Sequence, residues 1–145
     1  MVHPDLDALF DEMLRMAHLL LEKNGEFYPI GASMNSDGEI AHLAGFEGDE
    51  HPASQTIIDL IKHGLRAQAS ESNLRAGAIC YDVRTVPPGA SKKTDAICVD
   101  LAHVEGEAVK VLEPYRKGWF GKIAYGEIFA ARGDLGIFGA DGGVT

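Results

Sequence analysis

The sequence predicts an α+β domain: an antiparallel five- to six-stranded sheet with two helices packed on one face, in the order α-β-β-α-β-β-β-β. Three observations carry this reading. In segments 5–23 and 53–71 apolar residues recur at three- and four-residue steps, the period of one helical face. Elsewhere they alternate with other residues, the period of a strand. Short turn-rich intervals separate the alternating runs, which joins neighbours antiparallel and disfavours the helix-separated strands of a parallel sheet.

The first helix places Leu6, Leu9, Phe10, Met13, Met16, Ala17 and Leu20 on one stripe. Asp5, Asp7, Asp11 and Glu12 lie early, where they complement the helix dipole, and Asn24-Gly25 supplies a stop that tolerates a left-handed backbone. Strands 26–34 and 39–46 form a hairpin around Asn35-Ser36-Asp37-Gly38, with Tyr28, Ile30, Ala32 and Met34 sharing a face. Pro29 suggests an edge position for the first of them, since proline cannot donate to a ladder. Gly48-Asp49-Glu50-His51-Pro52 reads as the loop into the second helix, whose stripe is Ile57, Ile58, Ile61 and Leu65. Gly64 inside that helix costs about 1 kcal/mol against alanine, and close packing on a neighbouring backbone would account for it. Strands follow at 74–85, 95–104, 107–113 (ending at Pro114) and 120–131, with a loose tail from Gly133 to Thr145 and an apolar anchor at Ile137-Phe138. The 145 residues fit one domain, 1–145, large enough to bury its own core.

The net charge is −9, from 22 acidic and 13 basic side chains. An acidic chain whose basic residues form only two short clusters, Lys92-Lys93 and Arg116-Lys117 with Lys122, offers no phosphate track, so neither nucleic acid nor an anionic membrane is an expected partner. The start lacks a basic segment followed by an apolar run, and no stretch is long and apolar enough to span a bilayer. The expectation is a cytoplasmic protein with Cys80 and Cys98 reduced.

The alternation assigns Ile79, Tyr81 and Val83, with Ile97, Val99 and Leu101, to the helix-covered face. The opposite face then carries Ala78, Cys80, Ala96, Cys98 and Ala102, continued by Ala124, with Asp82 and Asp100 among them. Small apolar side chains are unusual on a face left in water and suit close approach by a flat surface. These six small residues therefore predict a homodimer interface, with cover by the C-terminal tail as the alternative.

Motifs of chemistry are sparse. Cys80 and Cys98 are expected opposite one another on one face, as space-filling residues and not as a redox pair, because no CxxC and no basic neighbour activates them. His42, Asp49, Glu50, His51 and His103 lack metal-ligand spacing, so no metal site is expected. No GxSxG, GxGxxG or GxxxxGK[ST] is present; no cofactor follows and no catalytic residue is assigned. The segment Pro114-Tyr115-Arg116-Lys117-Gly118-Trp119-Phe120 gathers three aromatics and two cations. It reads as a packed loop anchored by Trp119, with ligand contact through His42, Tyr115 and Trp119 as the alternative.

Phe27-Tyr28-Pro29-Ile30-Gly31, Asp37-Gly38-Glu39-Ile40 and Pro114-Tyr115 resemble a family of small bacterial proteins of unassigned function, and that resemblance implies no catalytic residues. The element order is similar to profilin-like and roadblock-like domains, which are interaction modules, although those end in a helix and this chain ends in a strand and tail. The expected function is a non-enzymatic, homodimeric interaction protein that binds another protein through its sheet or its aromatic loop. An acidic antagonist of a basic partner is one version of it. The second reading is a small-molecule-binding protein or enzyme with a pocket near His42 and the 114–120 loop.

Overall fold

The first helix, α1 (Pro4–Asn24), begins at a capped end. The His3 side chain accepts the Asp5 N–H, and Pro4 occupies the first turn, where a missing N–H costs nothing. Gly25 closes the helix in the left-handed conformation, φ 76°, donating its N–H to the Leu21 carbonyl. The computed structural model describes residues 3–44 and 53–138; the loop residues Asp49, Glu50 and His51 and the tail from Gly139 lie outside the described residues.

After α1 come β1 (Ile30–Met34), β2 (Ile40–Ala44), α2 (Ser54–Ser70), β3 (Ala76–Thr85), β4 (Thr94–His103), β5 (Ala108–Lys117), β6 (Ile123–Tyr125) and β7 (Phe129–Arg132). The expected α+β class and element order hold. The strands form one antiparallel sheet in the order β2-β1-β3-β4-β5-β6, with β7 also on β5. Two local expectations change. β1 is flanked by β2 and β3, so the edge is β2, and Pro29 stands just before the ladder, where its missing donor is harmless. The single strand expected over 120–131 is two strands sharing one edge: β7 opposes Val109–Leu112 and β6 opposes Tyr115–Lys117. Consequently β5 runs through Pro114, which lies in the interval between these two outer neighbours.

The helices lie on opposite faces of the sheet, not on one. Leu6, Leu9, Met13, Ala17 and Leu21 of α1 pack with Ala76, Ala78, Cys80, Ile97, Val99, Leu101 and Val111. Ile57, Ile61 and Leu65 of α2 pack with Ile79, Ala102 and two residues beyond β7, Leu135 and Ile137. The physical reason is register. Ala78 opposes Leu101 and Cys80 opposes Val99, whereas Ile79 opposes Asp100 and Tyr81 opposes Cys98. Directly opposed residues share a face, so the bulky residues of β3 and of β4 point to opposite sides. Each face mixes large with small side chains, and each receives a helix.

α2 approaches the sheet closely where glycine allows it. A Cβ at Gly31 would stand 2.5 Å from Ile61 Cγ2, and one at Gly77 would stand 3.2 Å from Leu65 Cδ2. Gly64 is different: a Cβ there would meet nothing within 4 Å, so close packing does not explain it. Gly64→Ala is therefore expected to stabilise the protein by about 0.5–1 kcal/mol, read as a rise in the urea midpoint at unchanged slope.

Candidate functional site

The connection from β5 to β6 is a five-residue turn that carries its apolar side chains outward. The Gly118 N–H donates to the Lys122 carbonyl at 2.6 Å, and the Lys122 N–H returns to the Trp119 carbonyl at 3.3 Å. Closing so few residues forces positive φ at Phe120 (61°) and Gly121 (75°). Glycine adopts that conformation freely; at Phe120 it costs about 1 kcal/mol. The strain gains no burial in return, because Trp119 is 87% and Phe120 100% exposed. The expectation that Trp119 anchors a packed loop is thus corrected: among the described residues the turn extends the β5–β6 hairpin past any surface that could receive the indole. Arg116, Lys117 and Lys122 flank the two rings and are all exposed, so an acidic protein presents here a compact cationic and aromatic tip.

The other proposed ligand contacts do not join Trp119. His42 is on edge strand β2, and β5 is four strands away across the sheet. His42 is exposed and pairs with Glu12 at 2.6 Å, which also holds Arg15 at 2.7 Å. Those two partners keep the Glu12 carboxyl below its usual range, the Arg15 hydrogen bond contributing most. Tyr115 is buried on the α1 face and donates its hydroxyl to Asp82 at 2.9 Å. A pocket shared by His42 and the 114–120 loop is therefore absent among the described residues, because the two hairpins occupy opposite edges. A groove of about 800 Å³ opens elsewhere, between the end of α2, the β4–β5 turn and residues 136–138.

The six predicted interface residues also separate. Ala78 and Cys80 lie beneath α1; Ala96, Cys98 and Ala102 are buried on the α2 side; Ala124 is exposed on β6. Ala102 packs with Leu135 and Ile137, so the C-terminal segment covers part of the second face, as the alternative reading had it. The cysteines stand on opposite faces and cannot pair. Burial pushes both thiols up, Cys98 to about 11, which leaves them protonated and unreactive at neutral pH.

One histidine cluster assembles that the spacing of residues did not reveal. His3, Asp5 and His103 bring a ligand atom each within 4.8 Å of one another. The hydrogen bonds show what the cluster is. His103 Nδ1 accepts the Glu105 N–H at 3.1 Å, which leaves the proton on Nε2, and Nε2 donates to Asp5 Oδ2 at 2.9 Å. His3 Nδ1 is occupied as the cap of α1. The two rings stack with centroids 3.6 Å apart and planes 25° from parallel, so their in-plane lone pairs do not converge on one point. A metal needs convergent, unprotonated nitrogens, and this arrangement does not fit one. It is a clasp that ties the start of α1 to the β4–β5 turn. Arg75 lies 3.9 Å from Asp5, and the Asp5 carboxyl is held below its usual range, first by the His103 hydrogen bond. At the other end of α1, His18 bonds buried Glu113 at 2.5 Å and stacks on Tyr125, whose hydroxyl reaches Glu22. These pairs fasten the helix to β5 and β6.

Among the described residues no helix is long and apolar enough to cross a membrane. No protein-family model, no curated protein and no solved structure matches the chain.

Proposed function

We propose that this protein is a non-enzymatic interaction domain that docks onto a partner protein through the Trp119–Phe120 turn. The observation that carries the reading is the pair of adjacent aromatic side chains, almost wholly exposed, on a turn that accepts a left-handed phenylalanine to present them. Binding hot spots are enriched in aromatic residues and arginine that enter a partner's pocket. The chemistry of the tip asks for an apolar recess rimmed by carboxylates, which would take the two rings and pair with Arg116, Lys117 and Lys122. The self-association expected from the sheet enters here as one form of the proposal, in which the partner is a second copy.

Because both side chains are exposed, their removal separates binding from folding. The double variant Trp119→Ala, Phe120→Gly is expected to fold within about 0.5 kcal/mol of the wild type, since glycine relieves the strain at position 120. A partner co-purified from the native host, then isolated and titrated by calorimetry, should bind the wild type and lose about thirtyfold or more in affinity for the double variant. Equal affinity for both proteins would refute the docking role. Light scattering identifies the case in which the partner is a second copy. Sedimentation of the wild type, and not of the variant, with anionic vesicles would replace the protein partner by a lipid surface.

A further inference from the structure

The groove at the end of α2 and the aromatic tip lie at opposite ends of β5. The strand starts at Ala108, which lines the groove, and ends at Lys117, where the tip begins. At the rise of a strand its ten residues separate the two by roughly 30 Å, so the rings of one copy do not reach their own groove. The groove nevertheless matches them in kind. Ala69, Val104, Ala108 and Phe138 line it, none of them buried, with Ala102 and Ile137 beneath. Val104 is 54% exposed, which leaves a branched apolar side chain at the mouth. The volume of about 800 Å³ falls in the range that encloses a drug-sized molecule, the bulk of an indole beside a phenyl ring.

The charges match as well. Glu107 borders the groove, and Glu105, with its side chain 71% exposed, stands in the same turn. Both acids also touch His3: Glu107 accepts the His3 N–H at 3.0 Å, and Glu105 lies 3.5 Å from the His3 ring. His103, in the same wall, is buried and bonded to Asp5. The tip brings Arg116, Lys117 and Lys122. Two copies of a chain with net charge −9 repel one another at a distance, and the cationic tip is the part that approaches the acidic turn with attraction. The cation of the groove is Arg66, whose Nε donates to the Gly136 carbonyl at 3.1 Å. That bond holds its planar guanidinium in place, and an aromatic ring stacks on such a group favourably.

We propose that two copies of this chain pair reciprocally, the Trp119–Phe120 tip of each seated in the groove of the other. The pairing rests on the docking role proposed above and names its partner. A twofold axis that sets the two β5 strands antiparallel brings tip to groove at both ends at once. Area decides for this closed pair over an open chain. An aromatic side chain buries about 150–250 Å², so one junction takes about 300–500 Å² of ring surface and a similar area of groove. One junction therefore stays below the roughly 1,200 Å² of a stable interface, and two reach it.

Sedimentation equilibrium of the full chain reads the pairing constant. The wild type is expected to form the pair, and Trp119→Ala, Phe120→Gly and Val104→Arg are each expected to raise its Kd about thirtyfold or more. Both substituted sites are exposed, so urea midpoints near that of the wild type check that each variant folds. A mixture of the two variants regains one junction, because the first keeps its groove and the second its tip. It is expected to associate more tightly than either variant alone. A Val104→Arg protein that pairs like the wild type overturns the groove as receptor, and so does a mixture no tighter than its components. A wild type that stays a single copy up to about 1 mM overturns the pairing and leaves the groove to the chain beyond Phe138 or to a different protein. The docking role itself survives that result if the tip variant still loses affinity for a partner isolated from the host, which separates the two failures.

Discussion

Ile79→Ala is expected to lower folding stability by about 2–5 kcal/mol, and Leu101→Ala by a similar amount. Both side chains are fully buried, yet they belong to different cores: Leu101 faces α1, and Ile79 packs with α2, Leu135 and Ile137. Each truncation leaves a cavity that its own helix and the rigid sheet can close only in part. Because the two residues share no packing partners across the sheet, the losses should add to within about 0.5 kcal/mol in the double variant. Urea unfolding of the two single variants and the double variant supplies the measurement. A double variant much less destabilised than the sum would mean that one cavity serves both residues. That is the one-face arrangement, in which Ile79 and Leu101 stand side by side beneath the same pair of helices.

The distance between these two arrangements is one residue of register, and it marks the limit of what the chain discloses by pattern. α1 was legible because its signals are local. The stripe from Leu6 to Ala17, the early acids and Gly25 all act within a turn or two of the backbone they shape, and the last member of the stripe differs, Leu21 being buried where Leu20 is expected. The Asp37-Gly38 turn was legible for the same reason, with Gly38 at φ 85°. The pairing of β3 with β4 has no such signal. The loop 86–93 holds Pro87, Pro88 and Gly89 but no two-residue turn that would set the register, and moving the pairing by one residue exchanges every side chain between faces. Cys80 and Cys98 would face one another if the hairpin pivoted on residue 89; the observed pivot, with Cys80 opposite Val99, lies half a residue later. The small-residue face depended on that step and went with it.

The site was legible in composition and misread in placement. Pro114 to Phe120 stood out as a concentration of aromatics and cations, but whether Trp119 turns inward depends on how far β5 runs, and β5 continues past a proline that pattern takes as its end. His3 carried no signal at all. It becomes a cap only because Pro4 starts the helix, and it meets His103 only because the β4–β5 turn returns the chain to that point, 100 residues away in sequence.

Asp5→Ala is expected to cost about 1–3 kcal/mol at pH 7, a large effect for a single residue at the start of a helix. The His103 side chain is 1% exposed, and its Nε2–H has Asp5 Oδ2 as its partner. Alanine would leave that donor buried and unpaired, and it would also remove an acid from the first turn of α1. Asp5→Asn separates the two terms, because the amide oxygen still accepts from His103 while the charge is gone. Its cost at pH 7 should be the smaller. The pH dependence carries a definite sign. The Asp5 carboxyl is held below its usual range, so its contribution is present above the unfolded value near 3.8 and is lost as pH falls through the folded one. The gap between wild type and Asp5→Asn should therefore be widest at neutral pH and close toward pH 2, as urea midpoints at pH 7, 4 and 2.5 will register. An Asp5→Ala protein as stable as the wild type would show that the clasp between α1 and the β4–β5 turn holds nothing. The helix would then stay on the sheet through Leu6, Leu9 and Met13 alone.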